Sequence, residues 1–292
     1  TSWVSFLLIG LFVCFNGFFR PYHNWDEIPY VFLAANAECN APLHAAHYQY
    51  LEQRVPGLYS ANSRLRTSPI SSYEKRALSD TGYFCSNLPF YTAKKLYVRI
   101  LRLTTWITGD ALQAVRLISA FPAILWYLLI GGVVMSGLSG GALNKVPLLL
   151  LSGRIGEELA RLSTPDALGC FLITSSAVGI LLSIRIDRLI LPAWPKMLPW
   201  IAFSVLLAAL SILVRANLAF ALISFCCSLI PFARRSIITV YLAFALLLSA
   251  LLVKSFSGLL AGYPDSYSHL TLLMFHSGGL FGPSGDPSAD IR

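Results

Sequence analysis

Long apolar stretches recur along this chain, and they constrain its fold more than any other feature. They lie near residues 3–19, 117–138, 146–163, 166–184, 198–214, 217–233 and 236–254. A helix needs about 20 predominantly apolar residues to cross the hydrocarbon core of a bilayer. The sequence therefore predicts an all-α integral membrane protein with about seven transmembrane helices.

The composition agrees with a polytopic membrane protein. Hydrophobic residues make up 56% of the chain and charged residues 12%, whereas a soluble domain carries roughly 25% charged residues. The formal net charge is +8, but most of the charges lie between the apolar runs. We therefore expect membrane lipid as a partner and no nucleic acid. The sequence contains no Gly-rich phosphate loop and no Cys/His set with zinc spacing.

The apolar runs divide the chain into four parts. Residues 1–19 are predicted to be a first transmembrane anchor, and 20–112 a long external loop. Residues 113–254 are predicted to form a six-helix transmembrane bundle, followed by an external Gly/Pro-rich tail over 255–292. A signal peptide is the alternative for the first segment, but the segment lacks a basic start and a small-residue cleavage site.

Basic residues in the short loops predict the orientation of the bundle. Three loops that fall on one side carry Lys145, Arg185, Arg188, Lys196, Arg234 and Arg235. We expect this side to be cytoplasmic, so the long loop and the tail face outside. No Asn-x-Ser/Thr sequon occurs, which favours a bacterial inner membrane with the active face in the periplasm.

The external loop contains two cysteines and most of the histidines. Cys39 and Cys85 can form a disulfide in an oxidising compartment, and two unpaired thiols are the alternative. No metal-ligand spacing relates the histidines, so we expect most of them to be solvated loop residues. They are His23, His44, His47, His269 and His276.

An acidic pair, Asp26 and Glu27, follows the first apolar run closely. A carboxylate at the membrane surface can act as general base for a hydroxyl acceptor, or it can hold a divalent cation beside a phosphate. The alternative is a solvated acidic turn before an amphipathic helix that begins near Ile28 and lies on the membrane. A second interfacial helix is predicted over 89–102, where bases, aromatics and aliphatics alternate; binding of a lipid-phosphate substrate is the alternative role of this segment.

The third apolar run carries charges that are unusual inside a membrane. Four-residue spacing pairs Arg154 with Glu158 and Glu157 with Arg161 on one helix. Because Arg154 lies about 14 Å from Lys145 at about 1.5 Å per residue, these groups are costly unless they pair or face water. We expect this half of the helix to line a polar cavity, and a short interfacial helix with self-paired charges is the alternative.

Three further side chains are candidates on the outer side. Asp166 follows Thr164 and Pro165 at a helix start, which suits either capping or function. Arg215 ends the fifth apolar run, where an arginine can snorkel to a headgroup or clamp a phosphate. His276 lies in the tail, which can fold over the cavity.

Four segments together resemble the GT-C superfamily of membrane glycosyltransferases, which use lipid-phosphate-linked sugars. The segments are residues 24–30, 97–101 with 109–120, 162–168 and 214–217. The resemblance implies that Asp26 is the acidic residue serving as base or metal ligand, with Glu27 beside it. It also implies that an outer cavity receives a polyprenyl-phosphate sugar. The side chains expected to line the donor site are Arg154, Glu158, Arg161, Asp166, Arg215 and His276.

Two other classes of function are open from the sequence. The chain is short for this superfamily and its motifs are weak, which also fits a non-catalytic subunit whose protein partner supplies the missing spans. A transporter would need internal repeats and broken helices near the midplane. The sequence shows no repeat between its halves, and Gly153 and Gly156 are the only hint of a broken helix.

Overall fold

The computed structural model describes nine ranges of the chain. These are residues 2–24, 26–36, 38–57, 72–92, 94–137, 142–189, 194–215, 218–230 and 235–257. Within them, the only pairing of the β type is a single bridge between Tyr22 and Leu162, and the named elements are all helices. The predictions made for His276 and for residues 258–292 lie outside the described residues.

Twelve helices occupy the described residues. In chain order they are α1 (Ser2–Phe19), α2 (Glu27–Ala35), α3 (Ala41–Arg54), α4 (Ser72–Ser79), α5 (Thr81–Thr92), α6 (Lys95–Thr108), α7 (Ala111–Gly137), α8 (Ala142–Arg161), α9 (Asp166–Leu189), α10 (Trp194–Val214), α11 (Leu218–Leu229) and α12 (Arg235–Ser257). The seven apolar runs of the sequence correspond to α1 and to α7 through α12.

Three of the described helices are long and apolar enough to cross a membrane. They contain the segments Ala111–Ser136, Asp166–Arg185 and Lys196–Val214 of α7, α9 and α10. The apolar parts of α1, α11 and α12 are shorter, at Trp3–Phe19, Leu218–Leu229 and Val240–Ser249. The fold is thus helical with three helices of membrane-spanning length and composition, and seven crossings remain a proposal.

The outer face of α1 is apolar and exposed. Leu7, Leu8, Leu11 and Phe12 are each more than half exposed. A contiguous apolar surface of this kind marks a membrane or protein interaction site rather than a face in water. The anchor role of α1 stays a prediction.

The long helices pack around two apolar cores. Helices α1, α7 and α8 share one core, which includes Phe6, Tyr127 and Leu149. Helices α9 through α12 share the other, which includes Ile201 and Tyr241. Helices α1 and α8 of the first core approach each other closely, since a Cβ added at Gly17 of α1 would lie 2.9 Å from Ala160 Cβ of α8.

Helix α8 is continuous through its two glycines. Both positions are helical within Ala142–Arg161, and a Cβ added at Gly156 would lie 3.3 Å from Tyr127 Cβ. The small side chains therefore let α7 and α1 approach α8. The hint of a broken helix, on which the transporter alternative depended, is not supported here.

Helices α2 through α6, which we call the cap, have a core of their own, rich in aromatic rings. The rings of Phe32 and Phe84 lie 5.2 Å apart, and those of Tyr30 and Tyr97 lie 4.8 Å apart. Edge-on contacts of this kind add about 0.5–1.5 kcal/mol each beyond their buried area. The start of α7 completes this core through residues such as Val115.

Helix α2 is a buried element of the cap. Every residue from Glu27 to Ala34 is buried, because α5, α6 and α7 all pack against this helix. The prediction that a helix beginning near Ile28 lies on the membrane surface is therefore wrong. Its apolar residues were read as a lipid-facing stripe, but they face neighbouring helices on all sides.

A disulfide closes the cap. Cys39, after α2, bonds to Cys85 of α5, and their Cα atoms are 5.7 Å apart. The structure confirms the pairing that the sequence left open. The bond links parts of the chain 46 residues apart, so it restricts the unfolded cap more than the folded one.

Two cap histidines are buried rather than solvated. His44 Nε2 donates to the Ala77 carbonyl oxygen at 3.0 Å, and the His47 ring packs edge-on against Phe32 at 5.2 Å. Burial lowers the pKa of His47 to about 3. The expectation of solvated histidines is wrong at both positions, because spacing alone does not reveal the aromatic core around them.

Helix α6 has one buried and one exposed face. Tyr97, Val98 and Leu101 are buried, whereas Trp106 and Ile107 are 82% and 68% exposed. The range 89–102, predicted as one interfacial helix, is divided between the end of α5 and the start of α6, and the two exposed residues lie beyond it. An interfacial role for this region stays a prediction.

Candidate functional site

The predicted base, Asp26, lies where two cap helices meet. It occupies the N-cap position of α2, and its side chain makes no capping hydrogen bond there. The Tyr91 hydroxyl of α5 donates to Asp26 Oδ1 at 3.2 Å. The carboxylate is therefore positioned from both helices, with one oxygen held and the negative charge near the positive end of α2.

A buried lysine lies beside Asp26. Lys94 is 8% exposed, and its ammonium lies 4.9 Å from the Phe90 ring centre, 5.2 Å from Tyr30 and 5.4 Å from Tyr91. Contact with ring faces partly compensates a cation for lost water. Tyr91 thus contacts both the lysine and the carboxylate.

The charge state of Lys94 is tuned by this environment. Burial lowers the pKa of Lys94 to about 8, while the nearby Asp26 carboxylate raises it and the Arg215 guanidinium lowers it. Lys94 is therefore close enough to feel both charges. At neutral pH it is mostly protonated, and it loses its charge in mildly alkaline solution.

Arg215 and Asp166 form an ion pair at the same site. Arg215 follows α10, Asp166 lies in the first turn of α9, and the two side chains are in direct contact. The Thr164 hydroxyl donates to Asp166 Oδ2 at 2.9 Å. The structure thus brings together two residues that the sequence placed on one side, and Asp166 serves as the partner of the arginine.

Glu27 belongs to a chain of polar contacts that runs away from Asp26. His23 Nδ1 lies 2.7 Å from Glu27 Oε2, and His23 Nε2 lies 3.4 Å from an Arg116 guanidinium nitrogen. The two contacts fit a neutral imidazole that carries its proton on Nδ1, since Nε2 then accepts from Arg116. Glu27 and His23 are both buried, so Glu27 is not a solvated residue.

Several buried polar atoms at the site have no hydrogen-bond partner among the residues that the structure describes. They are Glu27 Oε1, the Tyr30 hydroxyl and Arg215 Nε. Most buried polar groups in native proteins are hydrogen-bonded, and leaving one unpaired costs about 1–3 kcal/mol. The site therefore holds buried polar atoms whose hydrogen-bonding capacity the described residues do not satisfy.

The charged residues of α8 form a separate ladder. Arg154 lies 2.8 Å from Glu157 and 2.5 Å from Glu158, and Arg161 lies 3.2 Å from Glu157. The Arg154 side chain is 63% exposed. These contacts favour the alternative in which the charges pair with one another, rather than the predicted lining of a cavity.

Arg161 has further contacts that also serve packing. Its Nε donates to the Arg20 carbonyl oxygen at 2.7 Å, and its guanidinium stacks over the Tyr22 ring at 3.5 Å. Together with the bridge between Tyr22 and Leu162, these contacts fix the chain after α1 against the end of α8. Arg161 therefore positions the entry to the Asp26 segment.

Metal binding is the other role predicted for the acidic pair. Among the residues that the structure describes, no group of three or more His, Cys, Asp and Glu side chains is arranged to hold a metal ion. Asp26 is next to Tyr91 and Lys94, and Glu27 bonds to His23.

Sequence reasoning missed three members of this region: His23, Lys94 and Arg116. The four-residue spacing of His23 and Glu27 was a usable signal. Lys94 lies in the basic and aromatic range 89–102, but its burial could not be predicted, because one of the surrounding rings comes from Tyr30, which is distant in sequence. Arg116 lies within 109–120, one of the segments of the family resemblance, and its contact with His23 had no sequence signal.

Comparison of the chain with models of protein families, with characterised proteins and with solved structures finds no match.

Proposed function

We propose that this protein is a membrane glycosyltransferase that moves a sugar from a polyprenyl-phosphate donor to a hydroxyl acceptor. The chain would cross the membrane seven times, with the cap and its site on the periplasmic face of a bacterial inner membrane. The observation that carries the proposal is the grouping of Asp26, Lys94 and Arg215, a carboxylate with two cations, beside helices of membrane-spanning length. The GT-C resemblance supplies the class of donor.

Asp26 is the general base of the proposed reaction. It takes the proton of the acceptor hydroxyl as that oxygen forms a bond to the anomeric carbon of the sugar. The bond from the anomeric carbon to the phosphate oxygen breaks, and the electron pair leaves with the polyprenyl phosphate. The hydrogen bond from Tyr91 to Oδ1 leaves Oδ2 to receive the proton.

Arg215 and Lys94 stabilise the negative charge that develops on the leaving phosphate. A guanidinium has five N–H donors, so Arg215 can keep its contact with Asp166 and still bind phosphate through other nitrogens. Its unpartnered Nε is one such donor. Preorganised cations are effective where charge develops in a site with little water.

The test is sugar transfer by purified protein from polyprenyl-phosphate donors of several sugars to a hydroxyl acceptor. We expect Asp26→Asn to lower the rate at least about 100-fold, as loss of a general base does, with donor binding kept. The matched control is Glu158→Gln, which also removes one carboxylate charge, but from the ion-pair ladder of helix α8. We expect it to retain nearly full activity.

Full activity in Asp26→Asn would contradict the proposed mechanism. The alternative is a non-catalytic subunit of a larger membrane assembly. It is favoured by the observation that Arg215 is already paired with Asp166, as in a structural ion pair. Co-purification of a stoichiometric protein partner with no bound polyprenyl lipid would support it.

A further inference from the structure

A pocket lies near the end of α1, outside the cluster that contains Asp26. Its volume is about 500 Å³, and its lining includes Phe18 and Phe19 of α1, Arg54 of α3, Asp110 just before α7, and Gln113 and Arg116 of α7. One wall is therefore aromatic, and the other carries charges. No role in the reaction proposed above uses this pocket.

The charges in the pocket favour an anion. Arg54 binds Asp110 Oδ2 at 2.6 Å, and the Tyr50 hydroxyl donates to Asp110 Oδ1 at 2.7 Å. Asp110 is thus satisfied by its neighbours, and the pocket keeps one net positive charge from Arg116. Arg116 Nε has no hydrogen-bond partner in the described part of the chain, so the guanidinium keeps an unused N–H donor.

The aromatic wall favours a ligand with an apolar part. Phe19 is 73% exposed, at the end of a helix whose outer face is also apolar and exposed. Aromatic rings beside arginines at such a boundary suit the headgroup region of a bilayer. A phosphate with an attached lipid chain matches both walls of the pocket, because arginine binds phosphate through paired N–H donors.

We propose that this pocket binds the phosphate headgroup of an anionic membrane lipid, with Arg116 and Arg54 on the phosphate and the chain against Phe18 and Phe19. The bound headgroup also holds Arg116 in its contact with His23. His23 in turn contacts Glu27, the first residue of α2, which is adjacent to Asp26. The pocket therefore helps to position the cap on the membrane.

The experiment measures lipid binding by the purified full chain with native mass spectrometry. The probes are phosphatidylglycerol, polyprenyl phosphate, phosphatidylcholine and inorganic phosphate, each titrated alone. We expect at least one anionic lipid to bind about tenfold more tightly than phosphatidylcholine, as an additional charged contact allows. We expect Arg116→Gln to remove this preference and Arg116→Lys to retain part of it.

The matched control is Arg185→Gln, which removes an exposed arginine near the C-terminal end of α9. This variant should keep the preference for anionic lipid. A photoreactive form of the preferred lipid should label the peptide that contains Phe18 and Phe19. Equal binding by wild type and Arg116→Gln would overturn the proposal, and so would inorganic phosphate binding as tightly as the lipids. If Arg116→Gln does not fold, labelling of the wild-type protein elsewhere than Phe18 and Phe19 would overturn it.

The two anionic lipids distinguish the source of the headgroup. A preference for phosphatidylglycerol that Arg116→Gln removes would identify a site for bilayer lipid. A preference for polyprenyl phosphate would support this pocket if Arg116→Gln removes it and Arg215→Gln keeps it. Loss in Arg215→Gln alone would assign that lipid to the Asp26 site and count against this pocket. The result is also separable from the proposed transfer reaction. Asp26→Asn should bind the lipid as wild type does. If the wild-type protein binds the lipid in this pocket but has no transfer activity, the lipid-pocket proposal is supported and the glycosyltransferase proposal is refuted.

Discussion

Two groups of charged side chains in this protein use the same residue types in different ways. The α8 ladder comprises Arg154, Glu157, Glu158 and Arg161, and its ion pairs join residues three or four positions apart on one helix. The second group, which we call the cap cluster, comprises Asp26, Lys94, Asp166 and Arg215. Its members come from four separate places in the chain, at or next to the starts of α2, α6 and α9 and the end of α10.

The two groups differ in how far their charges are satisfied. Within the ladder every charge has an opposite charge within one helical turn, and Arg154 is largely exposed. In the cap cluster Lys94 is buried among aromatic rings, and Arg215 Nε has no hydrogen-bond partner within the described ranges. Burying a cation is costly unless something compensates it, so the cap cluster is the better candidate for binding a ligand.

The largest difference in sugar-transfer rate should come from replacing one arginine in each group. We expect Arg215→Gln to lower sugar transfer at least about 100-fold, because it removes a cation that stabilises the leaving phosphate. Arg154→Gln removes the same charge from the ladder and should change the rate less than about threefold, as for an exposed ion pair. Steady-state transfer rates of the two variants measure this difference, and equal losses in both would remove the distinction between the groups.

Loss of the disulfide should affect the cap cluster and spare the ladder. Replacing Cys39 and Cys85 together by serine should destabilise the cap by about 2–4 kcal/mol, since the closed loop is long. Hydrogen exchange should then increase in α2 and α5 and stay unchanged in α8. Uniform loss of protection in both regions would show that the cap and the bundle unfold as one unit.

The pH dependence of transfer should report on Lys94. Since its pKa is lowered to about 8, the side chain is charged below that pH and neutral above it. We expect activity to fall about tenfold between pH 7 and pH 9 as the charge is lost. Lys94→Arg stays charged over this range and should not show the fall, so the same alkaline profile in both proteins would assign the fall to another group.

The same shift in pKa has the opposite effect on stability. The unfolded lysine keeps its proton up to about pH 10.4, whereas the folded one releases it from about pH 8. The unfolded state therefore binds more protons in this window, and the contribution of Lys94 to stability rises with pH through it. If the temperature of thermal unfolding rises with pH while activity falls, the fall in activity comes from loss of the Lys94 charge and not from denaturation.

The sequence predicted the helices well and the cap poorly, for physical reasons. Long apolar runs determine helices such as α7 whatever surrounds them, and four-residue spacing was enough to predict the pairing of Arg154 with Glu158. Burial of α2 could not be predicted in this way, because its apolar side chains look the same whether they face lipid or protein. Lys94 was missed for a related reason, since its partners converge only in the folded cap.

Native mass spectrometry of the protein extracted with its own lipids tests whether the cap cluster is a site for a lipid-linked sugar. We expect a polyprenyl-phosphate adduct on the wild-type protein that is retained in Glu158→Gln and lost in Arg215→Ala. A wild-type protein without such an adduct, bound instead to a stoichiometric protein partner, would contradict the claim and identify the chain as a subunit of a larger assembly.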